Sequence, residues 1–369
     1  MMLKSLKRFR LNLSEKFTNS NRRHLSAIHD AIAKALYLGV PFAAYSLPGQ
    51  KLPVFIADPD FGNPAEDEAP RFIIRQWMSA DPITLVARMN ESQFMTFTPC
   101  DMQPRYPALQ ASTSYMEYLD KVGDLVDLLK RSNGKCVISR VDSYSDPFFD
   151  ISSMAGAFIS AVKNYPDLMV YIFYTPLTGC WMAATPESLV ESDGRGFSTM
   201  ALAGTVVASD NPVWDEKNTR EHDIVVEDIS RKLSRLGLDF YVSEKETFTA
   251  GNNMHLLTRF SGSLGKSDAD TIARTLHPTP AIAGYPLDES IEQINNIERH
   301  QRRCYCGTVT VENGSEMKSY VTLRCVEFSP KGYAFYAGGG ITGQSVPSEE
   351  WIETARKIST IASVMPPTR

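Results

Sequence analysis

Three sets of residues have types and spacing that chemistry could use. Gly338-Gly-Gly340-Ile-Thr-Gly343 satisfies G-x-G-x-x-G, the pattern of a dinucleotide-binding turn. Only 26 residues follow Gly343, too few for the rest of a βαβ unit with its acidic ribose ligand, and Pro347 separates the glycines from the next helix. Two readings remain: a tight turn, or a strand end where backbone N–H groups approach a phosphate or a carboxylate closely. Glu350, Glu353 and Lys357 share a face of the helix expected next, with Ser348 as its N-cap. On an isolated helix they would be a surface Glu-to-Lys pair contributing about 0.3 kcal/mol. Glu221 is the third case. It lies four residues before Val225, on a helix whose apolar face is Val225, Ile229, Leu233 and Leu236, so it points inward. A buried carboxylate needs a partner, and a hard cation, an arginine or a helix N-terminus would each serve. The six histidines (His24, His29, His222, His255, His277, His300) form no cluster at metal-ligand spacing.

The elements that would carry these residues can be read from periodicity. Leu25, Ile28, Ile32 and Leu36 recur at helical spacing and stop at Gly39. Nine prolines between 48 and 107 break residues 47–110 into short strands and loops. Met116, Leu119, Val122, Val126 and Leu129 predict a helix ending near 133–134. Strand-like segments follow at 136–141, 168–174, 179–184 and 197–207, with helices between them. Residues 307–340 read as three strands turning at 312–314 and 329–332, a local antiparallel meander. Strands and helices mix without βαβ rhythm, which favours an α+β fold. A boundary near 110 separates a variable N-terminal part, 1–110, from the main region, 111–369; whether the two form one structural unit stays open.

Composition excludes several classes. The chain has 369 residues, 43% of them hydrophobic, with a net charge of −5 and its basic residues dispersed, so nucleic acid is a poor partner. The longest apolar run, 168–174, is far short of the roughly 18 residues of a membrane span. One basic cluster (Lys4, Lys7, Arg8, Arg10, Lys16, Arg22, Arg23) has no apolar stretch behind it and reads as a surface tail rather than a secretory signal. Six cysteines without a C-x-x-C pair suit a reduced, cytoplasmic setting.

Nine strings then occur in order: Lys135-Cys-Val-Ile-Ser-Arg140, Thr185-Pro-Glu187, Ala201-Leu-Ala-Gly-Thr205, Arg220-Glu-His222, Leu276-His-Pro-Thr-Pro-Ala281, Tyr305-Cys-Gly307, Leu323-Arg324, Tyr336-Ala-Gly-Gly-Gly-Ile341 and Glu350-Trp-Ile-Glu-Thr354. Together they resemble the chorismate-utilising enzymes, and among these most the isochorismate synthases, over roughly residues 134–360. Ala-Leu-Ala-Gly-Thr, Lys135 and Ala281 are the features that favour this subfamily over aminating and salicylate-forming relatives. Thr185 and Thr310 depart from the family's usual Ser and Gly.

The resemblance implies a fold of large antiparallel sheets flanked by helices, and conversion of chorismate to isochorismate for menaquinone or siderophore biosynthesis. It implies Lys135 as general base and Glu187 as general acid, each of which must act from its neutral form. Glu221 and Glu353 would hold Mg²⁺, with Glu350 a nearby acid of the same site, and the metal would bind the ring carboxylate of chorismate. Gly204, Thr205, His255, Ala281, Tyr305, Arg324, Gly338, Gly340 and Lys357 match substrate-binding positions, Arg324 offering a planar fork suited to carboxylate. No glutaminase subunit, nucleic acid or membrane is expected as partner, and the chain would be a monomer or weak homodimer. Salicylate synthesis, or chorismate binding without turnover, are the alternatives, and the intact Lys135, Glu187, Glu221 and Glu353 argue against the second.

Overall fold

A computed structural model describes residues 19–64, 69–98, 103–132, 134–146, 149–208, 212–250 and 253–366. The basic residues Lys4 to Lys16 lie outside them. Helix α1 (Asn19–Leu38) buries Leu25, Ile28, Ile32 and Leu36 and ends where Gly39 takes φ +70. Prolines hold the next segments to four or five residues: β1 (Phe42–Ser46), β2 (Val54–Ala57), β3 (Arg71–Arg75) and β4 (Ile83–Val86). The short α2 (Glu91–Thr96) carries a capping box between Asn90 and Gln93. Then come α3 (Tyr115–Leu129), β5 (Lys135–Ser145), α4 (Ile151–Asn164), β6 (Met169–Thr175), β7 (Gly179–Thr185), β8 (Ser188–Ser192) and β9 (Gly196–Val207). Helix α5 (Glu216–Arg235) leads to β10 (Phe240–Val242), β11 (Glu246–Ala250), β12 (Asn253–Ser263), α6 (Ala269–Leu276), β13 (Gly284–Tyr285) and α7 (Leu287–Ile297). The chain closes with β14 (Thr308–Asn313), β15 (Glu316–Val321), β16 (Cys325–Ser329), β17 (Gly332–Ile341) and α8 (Pro347–Ala362).

The strands form an eight-stranded sheet, ordered β13-β5-β17-β16-β7-β6-β1-β2, and a nine-stranded sheet, ordered β10-β12-β9-β8-β15-β14-β3-β4, with β11 also on β12. The described pairings are antiparallel, as the α+β reading expects. Strands from before residue 110 extend both sheets at one edge. The apolar run in β6 is buried on both faces because two cores share it. Tyr171 and Phe173 meet Phe72, Val190 and Phe197 of the other sheet, while Val170 and Ile172 face α1 and α4. Among the described residues no helix is long and apolar enough to cross a membrane, and the described cysteines are buried and unpaired.

Three sequence expectations need correction. Residues 308–341 make four strands, not a three-stranded meander. The hairpin β14–β15 belongs to the nine-stranded sheet and β16–β17 to the eight-stranded one, so the chain changes sheets at 322–324. Arg324 makes that change in a left-handed conformation, φ +48, which a bulky residue adopts at a cost. Helix α8 starts at Pro347 with Val346 as N-cap and no side-chain cap bond, so Ser348 sits within the first turn. In α3 the buried face is Tyr118, Val122, Leu125, Val126 and Leu129, whereas Met116 is exposed.

Candidate active site

Lys135, Glu187, Gly204, Thr205, Glu221, His255, Ala281, Tyr305, Arg324, Gly338, Gly340, Glu353 and Lys357 line one cleft. They come from both sheets and from α5 and α8. Of the residues singled out in the sequence, Glu350 is the one that does not line it. It lies behind Gly339, 2% exposed, where an added Cβ on Gly339 would come within 3.0 Å of its Oε2.

Local backbone features aim these side chains. Opposite β12, β9 carries one extra residue: Thr205 pairs with His255 and Ala203 with Leu256, leaving Gly204 as a bulge at φ +73. Only glycine takes that conformation without strain. The Thr205 N–H donates to Asn218 Oδ1 at 2.8 Å, pinning the bulge to α5. In β17, glycines make room rather than a turn. A Cβ on Gly340 would stand 2.6 Å from Lys135 Cε and 3.0 Å from Glu221 Oε2, and one on Gly338 2.9 Å from the Tyr305 hydroxyl. Arg302, which sequence reasoning missed, donates to the carbonyls of Val137 at 2.6 Å and Ile282 at 2.8 Å, tying β5 to the segment that carries Ala281. It is itself charge-paired with Glu298 at 2.7 Å.

The electrostatics separate into three groups. Arg324 is buried and makes no ion pair among the described residues. It donates from Nη1 to Thr360 Oγ1 at 3.0 Å, and its Nη2 lies 3.2 Å from His255 Nε2. Since a guanidinium can only donate, Nε2 must accept, which places the ring proton on Nδ1, facing the Gly204 carbonyl at 3.1 Å. Burial, with Arg324 and Lys357 nearby, pushes His255 down to about 3, so it stays neutral, and burial lowers Arg324 to about 10. Glu187, in the turn between β7 and β8, is buried without an ion-pair partner among the described residues. Burial pushes its carboxyl up to about 7 against the opposing pull of Lys135 and Lys357.

The third group is a set of carboxylates and lysines. Glu353 accepts from Lys357 at 2.7 Å, and Lys357 also donates to the Gly338 carbonyl at 2.8 Å. Burial alone would raise Glu353, but Lys357, together with Lys217, outweighs it and holds the carboxyl below its usual range. Glu221 lies 3.5 Å from Lys135 Nζ and 3.8 Å from Lys217 Nζ, and Glu350 accepts from Lys217 at 2.6 Å. Lys217 is a second residue that sequence reasoning missed, although its place four residues before Glu221 was a readable signal. Among the described residues no three His, Cys, Asp or Glu side chains stand close enough to hold a metal as they are, because each of these glutamates is drawn to a lysine. Their chemistry still fits a hard cation: three carboxylates in the first two turns of α5 and α8, one with a buried oxygen, Glu350 Oε2, that has no hydrogen-bond partner among the described residues.

Paired large sheets thus enclose a cleft that brings together a buried arginine with no ion pair among the described residues, a carboxyl raised toward neutrality and clustered carboxylates. The chain belongs to the chorismate binding enzyme family, whose model matches residues 77–366. It is 32% identical over 209 residues to the isochorismate synthase EntC of Escherichia coli K12, covering 53% of this chain and 54% of that protein. The chain thus spans about half the length of the curated relatives it matches. The structure of MenF, the menaquinone-specific isochorismate synthase of Escherichia coli, superposes with a TM-score of 0.74 at 17% identity, covering 96% of this chain and 92% of that one. Anthranilate synthase component I of Streptococcus pneumoniae gives 0.59 at 16% identity, covering 87% and 89%. At these identities the structural matches establish the shared fold.

Proposed function

We propose that this chain is an isochorismate synthase, which adds water at C2 of chorismate while the C4 hydroxyl leaves as water. The observation that carries the reading is the coexistence in one cleft of Arg324, a buried cation with no ion pair among the described residues, and Glu187, a buried acid able to keep its proton near neutral pH. Arg324, held by Thr360 and neutral His255, receives a substrate carboxylate in its planar fork. Lys135 takes a proton from the attacking water, and Glu187 donates one to the departing C4 oxygen. Lys135 opens β5 and Glu187 lies in the turn between β7 and β8, so they can serve different atoms of one ring. A new C–O bond forms at C2, the ring double bonds shift from C1–C2 and C5–C6 to C1–C6 and C4–C5, and the old C–O bond at C4 breaks with its electron pair leaving on the oxygen. Lys135 then loses a proton to solvent and Glu187 regains one from it. Glu221 and Glu353, with Glu350 behind them, would hold Mg²⁺; when bound, the ion supplies positive charge to the substrate's ring carboxylate.

The likeness to curated isochorismate synthases such as EntC supports this reading, as does Ala281. Incubating the chain alone with chorismate and Mg²⁺, and resolving the products by chromatography, tests it. Isochorismate with no requirement for ammonium is the expected product. Salicylate plus pyruvate would select the eliminating alternative, and an aminated product would overturn the proposal.

A further inference from the structure

Lys217 stands where three negative charges meet. Its Nζ is 2.6 Å from Glu350 Oε1 and 3.8 Å from Glu221 Oε1, and Glu353 is near enough to act on its charge. These are the same glutamates whose chemistry fits a divalent cation. Four features argue that the ammonium is a stand-in for that cation rather than an ordinary ion pair. Glu350 is 2% exposed, so its charge is held inside the protein at a high cost unless a cation stays close. Its second oxygen is buried without a hydrogen-bond partner among the described residues, leaving coordination capacity that one ammonium does not use. Lys217 reaches the cluster on a flexible stem from the first turn of α5, and a lysine can withdraw where a rigid group could not. It also has somewhere to go: with Lys130, Arg220 and Gly343 it lines an adjoining cavity that shares Glu221 as a wall with the cleft.

We propose that Lys217 is a tethered counter-ion, holding Glu221, Glu350 and Glu353 together in the metal-free chain and giving way into the adjoining cavity when a divalent cation takes its place. The inference rests on the metal reading given above. It implies that metal uptake is a cation exchange: the entering ion displaces a fixed positive charge, and its apparent affinity is set low by that competition.

Equilibrium binding of Mn²⁺, followed by the loss of the free-ion EPR signal, and of Mg²⁺, by calorimetry, tests this on the full chain and on Lys217→Met, Lys217→Arg and Lys130→Met. Lys217→Met is expected to bind both ions about tenfold more tightly or better than the parent, since nothing is displaced. Lys217→Arg, which keeps a tethered charge, should bind no more tightly than the parent. Lys130→Met, an exposed lysine paired with Asp127 in the adjoining cavity, should bind as the parent does. In chelator Lys217→Met should melt at a lower temperature than the parent, and excess Mg²⁺ should restore it. A Lys217→Met chain that unfolds in chelator but is recovered with Mg²⁺ supports the proposal. One that folds in neither condition overturns it, because the ammonium would then be needed with the metal in place. Equal or weaker binding by Lys217→Met, with normal binding by the parent, overturns this proposal alone. A parent chain that takes up neither ion overturns the metal reading as well.

Discussion

Glu187 combines two properties that pull against each other. Burial raises its carboxyl to about 7, which suits the proton-donor role proposed for it, and that same burial makes its ionised form a liability. A carboxyl raised in the folded state stabilises the fold relatively below its unfolded value of 4.5 and loses that contribution as pH rises to about 7. The shift amounts to about 3 kcal/mol at roughly 1.4 kcal/mol per unit. Glu187→Gln should therefore be more stable than the parent by up to about 3 kcal/mol at pH 8 and indistinguishable from it near pH 4, as read by denaturant unfolding. Turnover should fall about 10²–10⁴-fold in that variant, and the parent's alkaline rate limb, centred near pH 7, should disappear from the remaining activity. Lys135→Ala should lose turnover on the same scale while keeping Mg²⁺-dependent chorismate binding, measured by calorimetry. Near-normal turnover in Lys135→Ala would mean that another group activates the water. Glu221→Gln and Glu353→Gln should instead lose the Mg²⁺ dependence of chorismate binding, because an amide replaces an anionic ligand.

At the scale of elements, the site depends on where strands are interrupted. The bulge at Gly204 turns Thr205 and His255 toward the cleft, and the change of sheet at Arg324 aims a guanidinium into it. Neither was readable from periodicity, because a bulge and a left-handed arginine depend on the strand across the sheet and not on local spacing. The inward placement of Glu221 was readable, since the apolar face of α5 is a local signal. Three strands were expected at 307–340 because turn chemistry marks hairpins but does not say which sheet each joins. Gly338 and Gly340 suggested a turn or an anion cradle, and in the structure they lie within β17 and clear space for Tyr305 and Lys135. Gly340→Ala follows from that: a Cβ 2.6 Å from Lys135 Cε can be met by moving the lysine, so the fold should survive with a near-parent melting temperature. Turnover should drop about 10²-fold, the usual scale for misplacing a reacting group by an ångström. A Gly340→Ala chain with parent-like turnover would show that Lys135 does not need its present position.

Across the whole molecule, the two sheets share one core and the cleft draws on both, so the site exists only when the sheets are packed together. Early strands that the sequence showed merely as proline-broken fragments complete the edges of both sheets. Their role was illegible because long-range pairing leaves no local period. In the proposed function Arg324 receives a carboxylate in the assembled cleft, Lys135 and Glu187 carry two proton transfers, and water replaces a hydroxyl there. That claim is tested most directly by giving the chain chorismate and Mg²⁺ in ¹⁸O-labelled water, without ammonium, and locating the label by mass spectrometry. Isochorismate carrying one solvent oxygen, at C2, is the expected product. Unconsumed chorismate, or isochorismate whose C2 oxygen is unlabelled, would contradict the proposed function.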